Sequence, residues 1–144
     1  MNFVDLRISG QNIDLEGLTE SLSIPPNHIC KKGDVKYDGI TKKYFTYSED
    51  CWTGGIQVEN EEETESKISG FIDLLYKNKE TIQQLSKFHH ITLWITLHPD
   101  TNQFNLHLSN KILEKINELG INVDITCMYL QEFYSGSYLS DMDK

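Results

Sequence analysis

The residues from 90 to 130 constrain the fold of this chain more than any other stretch, because their hydrophobic period changes twice. The first segment alternates apolar and polar side chains, which is typical of a half-buried strand; it comprises Ile91, Thr92, Leu93, Trp94, Ile95, Thr96, Leu97 and His98. Residues 99–102 favour a turn, and the alternation resumes over 104–108 with Phe104, Leu106 and Leu108. Two strands joined by so short a polar link predict an antiparallel hairpin.

A helix and a closing strand follow this hairpin. Ser109 is placed to cap the helix, because its hydroxyl can accept a hydrogen bond from a first-turn amide. The apolar stripe of the helix has helical spacing and consists of Ile112, Leu113, Ile116 and Leu119. Gly120 suits the left-handed conformation that ends many helices. Val123, Ile125, Cys127 and Tyr129 then alternate with Asp124, Thr126 and Met128. The predicted unit is ββαβ, with its helix covering one face of the sheet.

The rest of the chain extends this pattern. We predict a strand over residues 3–9, a helix over 14–22 capped by Asp14, and a surface loop over 27–43 with at most a short edge strand. Strands over 44–48 and 52–58 and a helical region over 64–88, interrupted at Asn78, complete the order β-α-β(β)-α-β-β-α-β. This order predicts an α+β two-layer sandwich, mainly antiparallel, with the helices on one face, ferredoxin-like in style. Residues 1–130 form the single domain, and residues 131–144 form an aromatic and polar tail.

The composition of the chain limits the classes of function that we expect for it. No apolar run is long enough to span a membrane, and the first residues lack the layout of a signal peptide, so we predict a cytoplasmic protein. The three cysteines are predicted to be reduced thiols, and we predict no metal and no cofactor. A net charge of −9 disfavours nucleic acid and anionic membrane as the main partner, because phosphate binding needs a basic surface. A basic protein partner suits this charge.

Two surfaces are candidates for binding. The first is an acidic run before the long helical region, made of Glu59, Glu61, Glu62, Glu63 and Glu65. It reads either as a solvated linker at a helix N-terminus or as a docking surface for a basic partner. The second is the sheet face opposite the helices, where strand parity places Asp5, Arg7, Trp94, His98 and His107. Antiparallel sheets also present wet faces without function, and this face is equally suited to packing a dimer or the tail.

Catalytic motifs are not found. His98, Asp100 and His107 approach one another across the predicted hairpin, yet their spacing matches no metal-binding motif. No serine lies in a nucleophile-elbow context, and no local motif pairs a cysteine with a histidine. We therefore predict that the protein is not an enzyme. The alternative is an active site assembled from residues far apart in the sequence, which a tight histidine–carboxylate cluster or a bound metal would reveal.

Several segments resemble the domain-of-unknown-function 4279 family. They are Leu6-Arg7-Ile8-Ser9-Gly10, the helix 14–22, Ile24-Pro25, Lys32-Gly33-Asp34, Cys51-Trp52, the helical region ending near Leu85, Leu106-His107-Leu108-Ser109, Glu118-Leu119-Gly120 and the strand 123–129. The resemblance implies a bacterial α+β domain without an established activity. Some members lie beside polymorphic toxin systems, where immunity proteins are found. It implies no catalytic residue.

Two functional hypotheses follow. The first is an immunity-type protein that occludes a basic toxin, with the glutamates steering the partner and Trp94 or Trp52 anchoring it. The second is a small-molecule-binding or regulatory module on the open sheet face. The second hypothesis predicts a concave pocket beneath Trp94 and His98, and a flat, fully wet face would contradict it. Monomer and homodimer both remain compatible with the sequence.

Overall fold

A computed structural model describes residues 1–101 and 103–129. Its main sheet has five strands in the order β2-β5-β1-β6-β7, and a separate two-stranded sheet pairs β3 with β4. The elements are β1 (Asn2–Gly10), α1 (Leu15–Leu22), β2 (Pro26–Cys30), β3 (Val35–Asp38), β4 (Lys43–Thr46), β5 (Asp50–Val58), a 3-10 turn (Glu61–Glu63), α2 (Thr64–Lys77), α3 (Lys79–Ser86), β6 (His90–Leu97), α4 (Asn110–Leu119) and β7 (Asn122–Cys127). The α+β prediction is confirmed.

Alternate side chains of the central strand β1 lie on the two faces of the sheet, one covered by helices and one open. Val4, Leu6 and Ile8 are fully buried and pack against the apolar side chains of the helices. Antiparallel register places Trp52 of β5 and Ile91 of β6 directly opposite Ile8, so all three lie on the covered face. Phe3, Asp5 and Arg7 have the other parity and point to the open face. The predicted alternation of β1 therefore determines which of its residues lie on each face of the sheet.

The helix signals in the sequence have their expected geometry. The Asp14 side chain accepts a hydrogen bond from Gly17 N at 3.1 Å, and Ser109 Oγ accepts one from Ile112 N at 3.3 Å. Gly120 adopts φ = 70°, the left-handed cap predicted for it. Asn78 separates α2 from α3, as predicted, and its Nδ2 donates to Leu22 O at 3.4 Å. Among the described residues, no helix is long and apolar enough to cross a membrane.

The predicted hairpin after β6 is wrong. Residues 104–108 form no strand, and β6 has β1 on one side and β7 on the other, so no position in the sheet is left for them. β6 and β7 pair in parallel, with Leu93 beside Val123 and Leu97 beside Cys127. Parallel neighbours need a crossover connection, and residues 98–109 with α4 supply it. The alternation of Phe104, Leu106 and Leu108 has another cause, because these side chains pack partly against the core.

The region predicted as a surface loop contains more strand than expected. β2 joins the sheet as an edge strand beside β5, and β3 and β4 form an exposed hairpin outside the main sheet. The hairpin is fastened at its base, where Gly33 N donates to Tyr47 O at 2.8 Å and Tyr47 N donates to Asp34 O at 2.9 Å. Its large apolar residues are exposed and interspersed with lysines, so they do not give the pattern of a buried strand; they are Val35, Tyr37, Ile40, Tyr44 and Phe45. The predicted tail 131–144 lies outside the described residues.

Candidate functional site

The open sheet face contains a cavity of about 310 Å³. Its floor is formed by side chains of β1, β5 and β6 that alternate with the core residues, and its wall is formed by β2 and the base of the hairpin. The lining residues are Asp5, Arg7, His28, Tyr47, Cys51, Thr53, Trp94 and Thr96. An aromatic surface, a guanidinium, a carboxyl group, an imidazole and three hydroxyl groups therefore converge on one concave site.

Trp94 and Arg7 form the centre of this floor. The Arg7 Cζ atom lies 5.5 Å from the centroid of the Trp94 ring, within the range of a cation–π contact. Trp94 Nε1 donates to Thr126 Oγ1 of the edge strand β7 at 3.3 Å, which fixes the orientation of the indole. In the described part of the chain, ion pairs join Lys79 to Glu118 and Lys115 to Asp73, and none involves Arg7. The Arg7 charge thus makes a cation–π contact with Trp94 and is not paired with a carboxylate of the described residues.

Asp5 supplies the acidic group of the cavity. Its Oδ1 accepts a hydrogen bond from Asn27 Nδ2 at 3.0 Å, which ties β1 to the edge strand β2 across β5. Burial raises the pKa of the Asp5 carboxyl above its usual value, and the Asn27 hydrogen bond lowers it by less. Gly55 of β5 lies opposite Asp5, where an added Cβ would stand 2.5 Å from Oδ1 and 2.1 Å from Val4 O. The glycine therefore provides the space that this carboxyl occupies.

The wall of the cavity joins the hairpin to the sheet. The Tyr47 hydroxyl lies 3.4 Å from His28 Nε2. Cys51 faces the cavity, and Cys30 is directly opposite it in the register of β2 and β5, with both thiols free and buried. Burial and the adjacent Cys51 raise the pKa of the Cys30 thiol to about 11, so this thiol is protonated at neutral pH.

A second, more open depression of about 960 Å³ gathers the acidic residues. Its lining is Glu59, Asn60, Glu61, Glu62, Thr64, Glu65, Asp100, Thr101, Phe104 and Asn105. Two of these carboxylates hold the crossover segment in place: Glu61 Oε2 accepts from Asp100 N at 3.3 Å, and Glu65 Oε1 accepts from His107 N at 2.6 Å. The side chains of Glu59 and Glu62 have no such contact with another described residue. Glu63 does not line the depression.

A comparison with known families places the chain in one of them. A family model described as a domain of unknown function (DUF4279) matches residues 1–130. The chain belongs to the DUF4279 family. No curated protein and no solved structure matches it.

Within this DUF4279 domain, the cavity brings together three of the predicted site residues: Asp5, Arg7 and Trp94. His98 is only half-buried at the end of β6, where its ring packs edge-on against Phe3 with centroids 6.2 Å apart, outside the cavity. The acidic depression brings together four of the five predicted glutamates.

Two placements predicted for the binding surfaces are corrected. Trp52 has no exposed surface, and its Nε1 donates to Thr19 Oγ1 of α1 at 3.1 Å, so it belongs to the core and is removed from any docking surface. His107 lies in the crossover segment next to α2 rather than on the sheet, because residues 104–108 are not a strand. The two errors arose in different ways. The pattern of β5 does not say which of its faces the helices cover, which led to the error on Trp52, whereas His107 was placed by the parity of a strand that does not form.

Four lining residues of the DUF4279 cavity were missed by the sequence analysis. Cys51 and Thr53 follow from the parity of β5 once Trp52 is known to face the core. His28 and Tyr47 carry no local signal, because only the position of β2 beside β5 brings them to the cavity. No group of three or more histidine, cysteine, aspartate or glutamate side chains in residues 1–101 and 103–129 is arranged to hold a metal ion.

Proposed function

We propose that this protein is a small-molecule-binding module whose ligand site is the open-face cavity. The observation that carries the proposal is the convergence of Trp94, Arg7 and Asp5 with neutral hydroxyl groups in one concavity of about 310 Å³. Ligand sites are commonly concave, with an aromatic or apolar surface and a few polar groups that fix orientation.

The walls of the cavity also favour this function over a solvated sheet face. An uncovered antiparallel face is ordinarily flat and wet. Here the exposed hairpin lies beside the edge strand, and Tyr47 at its base packs against His28 with ring centroids 6.3 Å apart. The hairpin thereby raises one side of the face above the floor that Trp94 provides, and a small molecule would be contacted from two directions.

A fragment screen on the isotopically labelled protein tests the proposal. We expect fragments that perturb the backbone amide signals of β1, β5 and β6 around the cavity, and that bind at least about tenfold more weakly to Trp94→Ala. Phe88→Ala is the matched control, because Phe88 is an exposed aromatic that does not line the cavity. Thermal unfolding of each variant establishes that it is folded. A library that yields no fragment at the cavity, or only fragments indifferent to Trp94→Ala, would contradict the proposal.

A second candidate function is the occlusion of a basic protein, as expected of an immunity-type member of the family. It is favoured by the five carboxylates that line the acidic depression, to which no lysine, arginine or histidine of residues 1–101 and 103–129 contributes; they are Glu59, Glu61, Glu62, Glu65 and Asp100. Such a concentration of one charge accelerates association with a basic partner and weakens it as salt rises.

The depression offers a selective test of this second function. Reversal of Glu59 and Glu62 to lysine changes the charge of the depression without removing the carboxylates of Glu61 and Glu65, which accept hydrogen bonds from Asp100 N and His107 N. Glu20→Lys with Glu114→Lys is the matched control, because both residues are exposed elsewhere on helices.

The measurement is a pull-down from native cell extract at low and moderate salt, followed by titration of the recovered protein. We expect one basic protein in stoichiometric amount, bound at least about tenfold more weakly by the Glu59 and Glu62 double variant and normally by the control. A partner that is indifferent to the reversal, or the absence of any stoichiometric partner, would remove this candidate.

A further inference from the structure

We propose that the ligand of the open-face cavity is a small polar organic monocarboxylate whose carboxylate is paired with Arg7. This inference rests on the proposed function, and it adds the charge and chemical class of the ligand. It rests on three observations: Arg7 has no anionic partner among the described residues, its guanidinium contacts Trp94, and Asp5 lines the same cavity.

Arg7 is a half-buried cation without an anionic partner among the described residues. Its guanidinium also donates no hydrogen bond to any other described residue, although the group carries five N–H donors. Charged groups that are partly removed from water are normally paired, because desolvation is costly when it is not compensated. An anion that enters the cavity would supply the missing acceptor.

The guanidinium of Arg7 suits one kind of anion. It presents five N–H donors in a rigid planar fork that matches the geometry of a carboxylate. A carboxylate accepts from that fork with two parallel hydrogen bonds. The Thr126 hydrogen bond holds the indole, and the cation–π contact keeps the guanidinium beside the indole, so Arg7 is placed in the cavity before the ligand arrives. This preorganisation lowers the entropic cost of binding.

Asp5 limits the ligand to a single negative charge near Arg7. Its carboxyl lines the same cavity but is engaged by Asn27, and no ion pair joins it to Arg7. A dianion would bring a second negative charge toward this carboxyl, whereas a hydroxyl or amino group on the ligand would donate to it. The hydroxyl groups of Tyr47, Thr53 and Thr96 line the remaining surface and suit further polar groups on the ligand.

The experiment compares each acid with its neutral amide. The probes are 4-hydroxybenzoate and 4-hydroxybenzamide, together with a panel of other hydroxylated ring carboxylates and their primary amides, and inorganic phosphate as a plain anion. Binding is measured from amide chemical shifts of the labelled protein and from the fluorescence of Trp94. The proteins are the unmodified chain, Arg7→Gln, Arg7→Lys, and Lys36→Gln as the control for the loss of one positive charge outside the cavity.

We expect at least one acid of the panel to bind at the cavity at least about tenfold more tightly than its amide. Arg7→Gln should abolish that preference for the acid, Arg7→Lys should retain part of it, and Lys36→Gln should leave it unchanged. Tighter binding of phosphate than of every carboxylate would overturn the inference, since it would indicate a general anion site.

The two proposals fail in different ways. If amides bind the cavity as well as their acids do, or if the preference for the acid survives Arg7→Gln, the inference is wrong while the small-molecule site stands. If no compound of the panel binds but uncharged or cationic fragments do, the inference is again wrong. If neither the panel nor the fragment library yields any molecule at the cavity, both proposals are wrong.

Discussion

The two tryptophans of this protein show how differently the two faces of one sheet behave. Trp52 on β5 lies opposite Ile8 and is fully buried beneath α1, while Trp94 on β6 lies opposite Asp5 and is only half-buried in the cavity floor. Each indole donates to a threonine hydroxyl, so the polar requirement of both side chains is met. Hydrogen bonding therefore does not distinguish them; the layer of helices does, because it removes one face of the sheet from water.

The comparison extends to the residues around each tryptophan. The covered face is mainly apolar, and its tryptophan contributes to a single continuous core; its buried polar residues Asn2 and Thr64 are hydrogen-bonded to each other. The open face combines charged, hydroxyl and thiol side chains, with one cation that has no anionic partner among the described residues. We infer that the covered face carries the stability of the fold and that the open face can be altered with smaller energetic consequences.

The largest effect that tests this comparison is the truncation of each tryptophan. Trp52→Ala should lower the free energy of unfolding by about 3–5 kcal/mol, because it removes a buried side chain and leaves a cavity. Trp94→Ala should lower it by no more than about 1 kcal/mol, since the residue loses mainly a cation–π contact and partial burial. Chemical denaturation of both variants measures the difference. Equal losses would mean that the open face contributes to stability as much as the core does.

A smaller effect concerns a glycine on the open face. Gly55→Ala should cost about 1–3 kcal/mol, because the added Cβ would overlap the backbone oxygen of Val4 and the Asp5 carboxyl. Gly70→Ala is the contrasting variant: nothing lies within 4 Å of an added Cβ at this exposed position of α2. Alanine there should stabilise the protein by about 0.5–1 kcal/mol, since it favours the helix. A neutral Gly55→Ala would show that the open face has more room than the structure gives it.

The smallest effect is the titration of Asp5. Burial raises the pKa of this carboxyl in the folded protein, so the folded state binds a proton more tightly than the unfolded chain does. The contribution of Asp5 to stability is therefore largest below its unfolded pKa and declines as the pH rises through the folded pKa. Asp5→Asn should remove this decline, and Asn27→Ala should raise the pKa of Asp5 further. Carboxyl chemical shifts followed against pH provide the test; an Asp5 pKa at or below 3.8 would contradict it.

Much of the fold was predictable from local signals. Asp14, Ser109, Asn78 and Gly120 mark helix boundaries because each acts on backbone groups within a few residues of itself. The alternation in β1 and β6 gave two faces correctly, and so it placed Asp5, Arg7 and Trp94 together. The resemblance to the DUF4279 family is confirmed by the match over residues 1–130.

The errors have a common physical origin. Local periodicity does not determine which strands pair or which face of the sheet the helices cover. Residues 104–108 alternate like a strand, yet they pack along the core as a crossover, because β7 takes the position beside β6. Trp52 was predicted to be an exposed anchor for a partner, yet it lies on the face of the sheet that α1 covers. In both cases the local pattern is compatible with two environments, and long-range packing selects one of them.

The sequence by itself determined the helix boundaries, the two-faced character of the sheet and the acidic surplus before α2, since these depend on neighbouring residues and on composition. The tertiary structure alone decided that β7 runs parallel to β6, that the hairpin stands beside the sheet, and that His28 and Tyr47 meet Trp94 and Arg7 around one cavity. Such a site is built from residues far apart in the chain. The free energy that brings them together comes mainly from burying the apolar side chains on the opposite face of the sheet.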